Sequence, residues 1–240
     1  MSSQADAAPS RWAATMNIPV GLLAFASGSL DVVSFLRLGN VFASVMTSNM
    51  VLVAVAVVRK DGELGTRCAV ALAGYIAGVA VAASVAAPPT HRSGIGTGRF
   101  TSLLAGEAVV LAGFTAGWVA TDGRPGGGAQ IVLLAIVAVG MGAQSVAAKT
   151  LGDPNAGTTF FTGTLTGLVS GMVRSRGTAG ADRVAITAVA ALVTGAATSV
   201  AFLEVVPSAA PVLALCAVVA TASLSCLVAG RRRGGPNRLR

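Results

Sequence analysis

Long apolar runs alternate with short polar connections along the chain, and the lengths of these runs indicate the fold class. A helix rises 1.5 Å per residue, so about 20 apolar residues cross the hydrocarbon core of a bilayer. Eight runs approach that length, at residues 18–36, 41–58, 68–87, 101–120, 130–148, 158–173, 184–203 and 209–229. The pattern predicts an all-α fold, a polytopic transmembrane helix bundle in which all eight segments cross. The second and sixth runs are the shortest, and a layout in which both are re-entrant stays open.

Composition excludes most of the alternatives to a membrane protein. Apolar residues make up 54% of the chain and charged residues 11%. The mean hydropathy is +0.77. Soluble domains carry about 25% charged residues, because they must cover their surface with groups that water solvates. We therefore exclude a soluble enzyme, a coiled coil, a disordered chain and a secreted disulfide scaffold.

The distribution of positive charge favours one orientation. If all eight runs cross, 13 of the 17 lysines and arginines lie on the side that holds both chain ends, and 4 lie on the other. Cytoplasmic loops are enriched in Lys and Arg, so we expect both termini in the cytoplasm. The re-entrant layout divides the same charges 12 to 5, and charge alone therefore does not decide between the two layouts.

The same reasoning divides the chain into a cytoplasmic N-terminal tail, two membrane halves joined by a loop, and a basic cytoplasmic tail. These parts are residues 1–17, 18–120, 121–129, 130–230 and 231–240. Five arginines of the basic tail follow directly on an apolar run, where anionic lipid headgroups contribute about 1 kcal/mol per basic residue. No nucleic-acid-binding module precedes them, so we expect lipid headgroups as their partner and no nucleic acid.

The two membrane halves are weakly similar to each other, in the same order. Met46-Thr-Ser-Asn-Met50 corresponds to Phe161-Thr-Gly-Thr-Leu165, and Gly39-Asn40 to Gly152-Asp153. Residues 104–110, which include Glu107, correspond to residues 213–219, which include Cys216. Eight crossings would make the repeats parallel, whereas re-entrant second and sixth runs would make them inverted. Both arrangements occur in transporters.

Glycines spaced four residues apart recur in three of the runs. Small residues at this spacing let two helix backbones approach closely in lipid. The pattern predicts helix packing faces at Gly74/Gly78, Gly113/Gly117 and Gly163/Gly167/Gly171.

Four segments together resemble the YoaK-like family of bacterial integral membrane proteins. They are Gly28-Ser-Leu-Asp-Val-Val-Ser-Phe35, Val41-Phe-Ala-Ser-Val-Met-Thr-Ser-Asn49, Gly142-Ala-Gln144 and Thr158-Thr-Phe-Phe-Thr-Gly-Thr-Leu-Thr166. The resemblance extends from about residue 18 to residue 230. It implies a bacterial inner-membrane protein and no particular activity, because the family carries a domain of unknown function. Where such proteins commonly have Ser-Gly-Asn, this chain has Thr47-Ser48-Asn49, without the glycine that would favour a sharp break.

Asp31 and Glu107 are acids within apolar runs, which makes them the first candidates for function. An acid inside a span costs about 2.5–3.5 kcal/mol on insertion scales, so such residues are rare without a role. Asp31 either belongs to a binding site or locks the first two runs together by bonding the Thr47-Ser48-Asn49 turn. Glu107 either carries a proton during transport or is a neutral acid that donates one hydrogen bond between helices.

Depth connects these acids with polar residues of both halves. If all eight runs cross, Asp31 and Glu107 lie about 8–9 Å below the same membrane boundary. At similar depth lie Asn49, Gln144, Thr162, Thr164 and Cys216. We therefore predict a binding layer for a solute or ion, formed by Asp31, Thr47, Ser48, Asn49, Glu107, Gln144, Thr162 and Thr164. In the re-entrant layout the two acids approach opposite faces, and this layer does not form.

Two functions fit these features. The first is a permease or secondary transporter for a small polar solute, with proton coupling through Asp31 and Glu107, and the second is a non-transporting scaffold or accessory subunit. We expect no enzyme, because H-E-x-x-H and G-x-S-x-G are absent. We expect neither a cofactor nor a metal, because the three cysteines form no C-x-x-C pair and the chain has one histidine. The solute is not identified, and a homo-oligomer stays open.

Overall fold

The computed structural model describes residues 11–86, 97–150, 161–174 and 179–233, and every regular element in these ranges is helical. The helices are α1 (Arg11–Arg37), α2 (Met46–Arg59), α3 (Gly62–Ala86), α4 (Thr97–Ala120), α5 (Gly127–Thr150), α6 (Phe161–Arg174), α7 (Ala179–Val205) and α8 (Val212–Arg233). The predicted helical membrane bundle is confirmed. Gly152-Asp153 and Thr158, used in the sequence comparisons above, lie outside the described residues.

Six of these helices are long and apolar enough to cross a membrane: α1, α3, α4, α5, α7 and α8. The other two are shorter: α2 has 14 residues, and α6 has 14 within the described part of the chain. At 1.5 Å per residue each is about 21 Å long, which is short of a 30 Å hydrocarbon core. The prediction that all eight runs cross is therefore wrong for the second and sixth runs.

Side-chain contacts join the ends of four helices at one face of the bundle. Gln130 Nε2 donates to the Arg37 carbonyl oxygen at 2.7 Å, and Arg67 Nη2 donates to Gln130 Oε1 at 3.2 Å. Arg37 Nη2 also donates to the Leu203 carbonyl oxygen at 3.4 Å. The ends of α1 and α7 and the beginnings of α3 and α5 therefore lie together, at what we call the Arg37 face. The opposite side is the Ala86 face, where Arg99 of α4 donates to the Ala86 carbonyl oxygen at 3.4 Å.

The two faces explain why the short helices do not cross. α1 ends and α3 begins at the Arg37 face, so the chain between them, which includes α2, enters and leaves at this face. α5 ends and α7 begins at the Ala86 face, so the segment that includes α6 makes no net crossing either. The fold therefore has the re-entrant layout that the sequence left open.

The predicted second run begins too early, because its first five residues are not helical. After α1 the chain reverses through Gly39 and Asn40, whose φ angles are 98° and 62°. Glycine is favoured at position 39 by this backbone angle, and a Cβ there would also require the Arg67 side chain to move. Residues 41–45 then run without helical hydrogen bonds until α2 begins at Met46.

Two pairs of parallel helices pack with their backbones in close contact. α1 packs on α7, and α3 packs on α5. In each pair one glycine from each helix faces a backbone carbonyl of the other, so that any Cβ would overlap that oxygen. The contacts are Gly28 on Leu192, Gly195 on Phe25, Gly78 on Val139 and Gly142 on Tyr75.

The glycine spacing predicted these packing faces only in part. Gly74 and Gly78 lie against the α5 backbone, and Gly117 lies against the Leu133 side chain, so these predictions are confirmed. Added Cβ atoms on Gly113, Gly163 and Gly167 would have no neighbour within 4 Å among the described residues. The predicted packing is therefore wrong at these three positions. Nothing is described of the surroundings of Gly171.

α1, α5, α4 and α8 form a closed ring, in which each helix packs on two other members of the ring. α5 packs on α1 and α4, and α8 packs on the same two helices. At the Arg37 face the ring is closed by Trp118, whose Nε1 donates to the Pro207 carbonyl oxygen at 2.8 Å. The ring contains Glu107 and both residues of the Gln144–Leu23 contact described below.

Candidate functional site

Asp31 holds the non-helical segment that precedes α2. Its Oδ1 accepts a hydrogen bond from the Ser44 backbone N–H at 2.7 Å, and its Oδ2 accepts one from the Ser44 hydroxyl at 2.6 Å. Ser27, one helical turn before Asp31, donates from its hydroxyl to Ser44 Oγ at 3.2 Å. Asp31 and Ser44 are buried, so this segment has its backbone satisfied away from water.

Asn49 supports the same segment from the first turn of α2. Its side-chain oxygen accepts from the Phe42 N–H at 2.9 Å, and its Nδ2 donates to the Phe42 carbonyl oxygen at 2.7 Å. Asn49 is completely buried, whereas Thr47 is exposed and Ser48 half-buried. The predicted Asp31 lock therefore exists, but its partner is Ser44 and not the Thr47-Ser48-Asn49 turn, which lies within α2.

Glu107 lies on the buried stripe of α4, inside the ring of four helices. Its neighbours on this stripe are Leu103, Leu104, Leu111 and Phe114, all of which are buried. The Glu107 side chain is 1% exposed, and within the described part of the chain neither carboxyl oxygen has a hydrogen-bond partner. The carboxyl group is therefore in an apolar environment, which is costly for a charged group.

Gln144 joins α5 to α1 at the level of Glu107. Its Nε2 donates to the Leu23 carbonyl oxygen at 2.9 Å. α4 and α5 are antiparallel, and Gly140 faces Leu111. Glu107 is four residues before Leu111 and Gln144 four residues after Gly140, so the antiparallel register places them at the same level of the bundle.

The two acids do not lie in one layer. Leu23, at the level of Gln144 and Glu107, precedes Asp31 by eight residues of α1. Asp31 is therefore about 12 Å closer to the Arg37 face than Glu107 is. The predicted common layer is wrong, because it assumed that the second run crosses and so gave α4 the opposite direction.

Two of the predicted site residues lie on α6, which packs on α7. Thr162 is exposed and Thr164 is buried. The Thr166 hydroxyl donates a hydrogen bond to the Thr162 backbone carbonyl oxygen at 2.9 Å, which is the usual arrangement for a threonine in a helix. Cys216, which corresponds to Glu107 in the sequence comparison of the halves, is exposed on α8.

Several polar contacts between helices were not predicted from the sequence. Ser29 of α1 and Ser199 of α7 share a hydrogen bond, and the Tyr75 hydroxyl of α3 donates to Ser145 Oγ of α5 at 2.8 Å. Tyr75 is the one tyrosine of the chain. A tyrosine within an apolar run is a signal that its hydroxyl has a polar partner, and this signal was overlooked.

A cavity of about 690 Å³ opens at the Arg37 face between the beginnings of α3 and α5. It is lined by Gly62, Glu63, Thr66, Arg67, Gly127, Gln130 and Ile131. Arg67 and Glu63, four residues apart on α3, form an ion pair in its lining at 3.1 Å. None of the residues predicted from the sequence lines this cavity. No cluster of three or more His, Cys, Asp or Glu residues suited to a metal occurs in the described ranges.

These features define a polytopic helical membrane protein with six long helices, two short ones and a buried carboxyl group in its central ring. The chain belongs to the family described as "Protein of unknown function (DUF1275)", which matches residues 20–225. The chain is 31% identical over 157 residues to the "UPF0700 transmembrane protein YoaK" of Bacillus subtilis (strain 168), covering 65% of this chain and 67% of that protein. The resemblance to the YoaK-like family is therefore confirmed. No solved structure matches the chain.

Proposed function

We propose that this protein is a permease for a small polar solute, built from two inverted structural repeats that move relative to each other. The observation that carries the proposal is the correspondence between its two close helix pairs. α1 and α5 correspond in the two halves, as do α3 and α7. The pair α1–α7 therefore corresponds to the pair α5–α3.

The positions of the glycine contacts support this correspondence residue by residue. In α1, Phe25 and Gly28 contact α7, and Val139 and Gly142 of α5, each 114 residues later, contact α3. The facing positions in α7, Leu192 and Gly195, each follow their counterparts in α3, Tyr75 and Gly78, by 117 residues. α1 ends at the Arg37 face and α5 at the Ala86 face, so the halves have opposite directions. Inverted repeats of this kind are a transporter architecture with binding near the bilayer midplane.

The contacts between the two helix pairs are of a different kind from those within them. Within each pair, the backbones meet at glycines and leave little freedom to slide. Between the pairs, α1 meets α5 through side chains, namely Gln144 to the Leu23 carbonyl, Gln130 to the Arg37 carbonyl, and Ser27 to Met141 Sδ at 4.0 Å. We infer that α1–α7 and α3–α5 are the two bodies that rock against each other, with the solute between them.

The proposal includes an orientation. The Arg37 face carries Arg37, Arg59, Lys60, Arg67 and Arg124, and the remaining 12 of the 17 basic residues belong to the other side in this layout. The positive-inside rule then places both termini in the cytoplasm of a bacterial inner membrane, with the basic tail at anionic lipid headgroups. The protein is a carrier and not an enzyme.

Cross-linking tests the proposed motion. In a background in which the three native cysteines are replaced, Ser27→Cys with Met141→Cys links the two bodies, whereas Ser29→Cys with Ser199→Cys links two helices of one body. The purified variants are reconstituted in liposomes, and uptake is measured with a panel of radiolabelled amino acids, monosaccharides and small carboxylates. We expect the disulfide between bodies to stop uptake and reduction to restore it.

The matched control is the disulfide within one body, which is expected to leave uptake unchanged. Equal loss of uptake with both disulfides would contradict the proposed division into two bodies. If no solute of the panel enters faster than it enters protein-free liposomes, the permease proposal itself is wrong.

The contacts of Asp31 favour a second candidate function, a non-transporting membrane scaffold. Both carboxyl oxygens of Asp31 are used to hold Ser44, as in a structural lock. A scaffold predicts that no solute of the panel is taken up or raises the melting temperature, and that substitutions of Asp31 change stability alone.

A further inference from the structure

We propose that Glu107 is the proton-binding group of this permease, and that its carboxylate takes a proton from water at one face of the membrane and releases it at the other. Asp31 has no part in this exchange. The inference rests on the proposed permease function and names its coupling ion.

The contacts of the two buried acids are opposite in kind. Both oxygens of Asp31 accept hydrogen bonds from Ser44, so its charged form has fixed partners. The two oxygens of Glu107 have none among the described residues, although the side chain is 1% exposed. A structural carboxyl group is normally held by hydrogen bonds, because an unsatisfied buried polar group costs about 1–3 kcal/mol. For Glu107 this cost is not offset by any hydrogen bond among the described residues, which points to a role of its carboxyl group in another state of the protein.

Glu107 lies inside the bundle, between its middle and the Ala86 face. α1 and α5 are joined by the Arg37–Gln130 contact near one end of their interface and by the Leu23–Gln144 contact near the other. The level halfway between these two contacts is that of Val137 on α5. Gly140 is one turn from that level and faces Leu111, and Glu107 is one further turn away. Glu107 is therefore within about 10 Å of the middle level, inside the ring of four helices. Inverted-repeat transporters hold their coupling ions in this region.

Among the described residues, no charged side chain lies at the level of Glu107 to compensate its carboxylate. The titratable side chains on its own helix and on those packed against α4 are Arg99 on α4, Glu63, Arg67, Cys68 and Tyr75 on α3, Lys149 on α5, and Cys216, Cys226 and the terminal arginines on α8. Arg67 and Glu63 pair with each other at the Arg37 face, and Tyr75 donates to Ser145. Arg99 lies eight residues from Glu107, and Lys149 five residues beyond Gln144, so both are more than one helical turn from its level.

Proton binding follows from this environment. In a closed, dry bundle the neutral acid is favoured, because an isolated carboxylate loses its hydration without replacement. When the bundle is open to water on one side, the Glu107 carboxylate takes up a proton, and the bundle closes around the neutral acid. When it then opens to the other side, the carboxyl group is hydrated and releases the proton to water there, so that one proton has crossed the membrane.

Infrared difference spectroscopy tests the inference with the proton itself as the probe. Wild type, Glu107→Gln and Asp31→Asn are reconstituted in phosphatidylethanolamine/phosphatidylglycerol vesicles and titrated between about pH 4 and 10, in H₂O and in D₂O. We expect a carboxylic-acid C=O band that disappears reversibly as the pH rises, shifts in D₂O, is absent from Glu107→Gln and persists in Asp31→Asn. A band that is present over the whole range, or a titration unchanged in Glu107→Gln, would overturn the inference.

A second measurement separates this inference from the permease proposal. Vesicles that contain a trapped pH indicator receive an imposed pH gradient, together with any solute that the uptake panel has identified. We expect solute-dependent proton movement in wild type and its loss to the level of protein-free vesicles in Glu107→Gln, while exchange of labelled for unlabelled solute continues. Solute uptake with unchanged proton movement in Glu107→Gln would refute the role of Glu107 and leave the permease proposal intact. Absence of uptake in wild type would refute the permease proposal.

Discussion

Replacing Asp31 by alanine removes both hydrogen bonds that hold Ser44, and we expect it to destabilise the folded protein by about 3 kcal/mol. Hydrogen bonds to a charged group contribute about 1.5–3 kcal/mol each, and part of this gain is offset because a buried charge is removed as well. The Ser44 N–H is then left without its partner inside the bundle. Asparagine has nearly the same shape and can accept from that N–H, so Asp31→Asn should cost only about 1 kcal/mol.

A double-mutant cycle with Ser44→Ala measures the interaction itself. Unfolding in mixed micelles of mild detergent and SDS is followed by circular dichroism for both single variants and the double variant. We expect a coupling energy of about 1.5 kcal/mol, because Ser44→Ala removes the hydroxyl bond and leaves the N–H bond. The exposed Thr47→Ala is the control, with a change within about 0.5 kcal/mol. If the effects of Asp31→Ala and Ser44→Ala simply add, the proposed lock does not contribute to stability.

Three further predictions test the helix packing and the layout. Gly28→Ala should destabilise the protein by about 1–3 kcal/mol in the same unfolding assay, because its Cβ overlaps a backbone carbonyl of α7. The control, Gly113→Ala, should be neutral or stabilise by up to about 1 kcal/mol. Equal effects of the two substitutions would refute the close contact. Lys60→Cys and Arg183→Cys, each in a cysteine-free background, should react with an impermeant maleimide from opposite sides of the membrane, and labelling from one side would restore the layout of eight crossings. Tyr75→Phe should lower the free energy of unfolding by about 1 kcal/mol, because the hydrogen bond to Ser145 of α5 is lost. An unchanged free energy of unfolding would show that this bond does not contribute to stability.

The sequence predicts the class of fold because a membrane helix bundle is recognised by its apolar composition and by the lengths of its apolar runs. It does not predict the course of residues 41–45, which are as apolar as a membrane helix but run without helical hydrogen bonds. Hydropathy measures only how well side chains suit lipid. It contains no information on the hydrogen bonds that Asp31 and Asn49 make to the backbone of this segment, from positions 13 and 7 residues away from their partners.

The burial of several candidate residues was predictable, but Thr47 and Thr162 are exposed, and the arrangement of the residues was not predictable. Asp31, Asn49, Glu107 and Gln144 are all buried, as expected of polar residues placed at cost inside apolar runs. Their common layer was inferred from depth, and a segment that fails to cross reverses the depth order in the helices between it and the next such segment. One error in the second run therefore moved Glu107 away from Asp31. Ser44 was missed because a serine within an apolar run gives no signal of the carboxylate that it binds.

The separation of Asp31 and Ser44 along the chain has a consequence for biosynthesis. The carboxyl group enters the insertion machinery 13 residues ahead of the N–H and hydroxyl that it will bind. At a synthesis rate of about 5–20 residues per second, this interval lasts about 0.7–2.6 seconds. During it the nascent α1 bears an uncompensated acid, so its release into lipid before Ser44 emerges would be penalised. The first helix and the loop that follows it are therefore expected to leave the translocon as one unit.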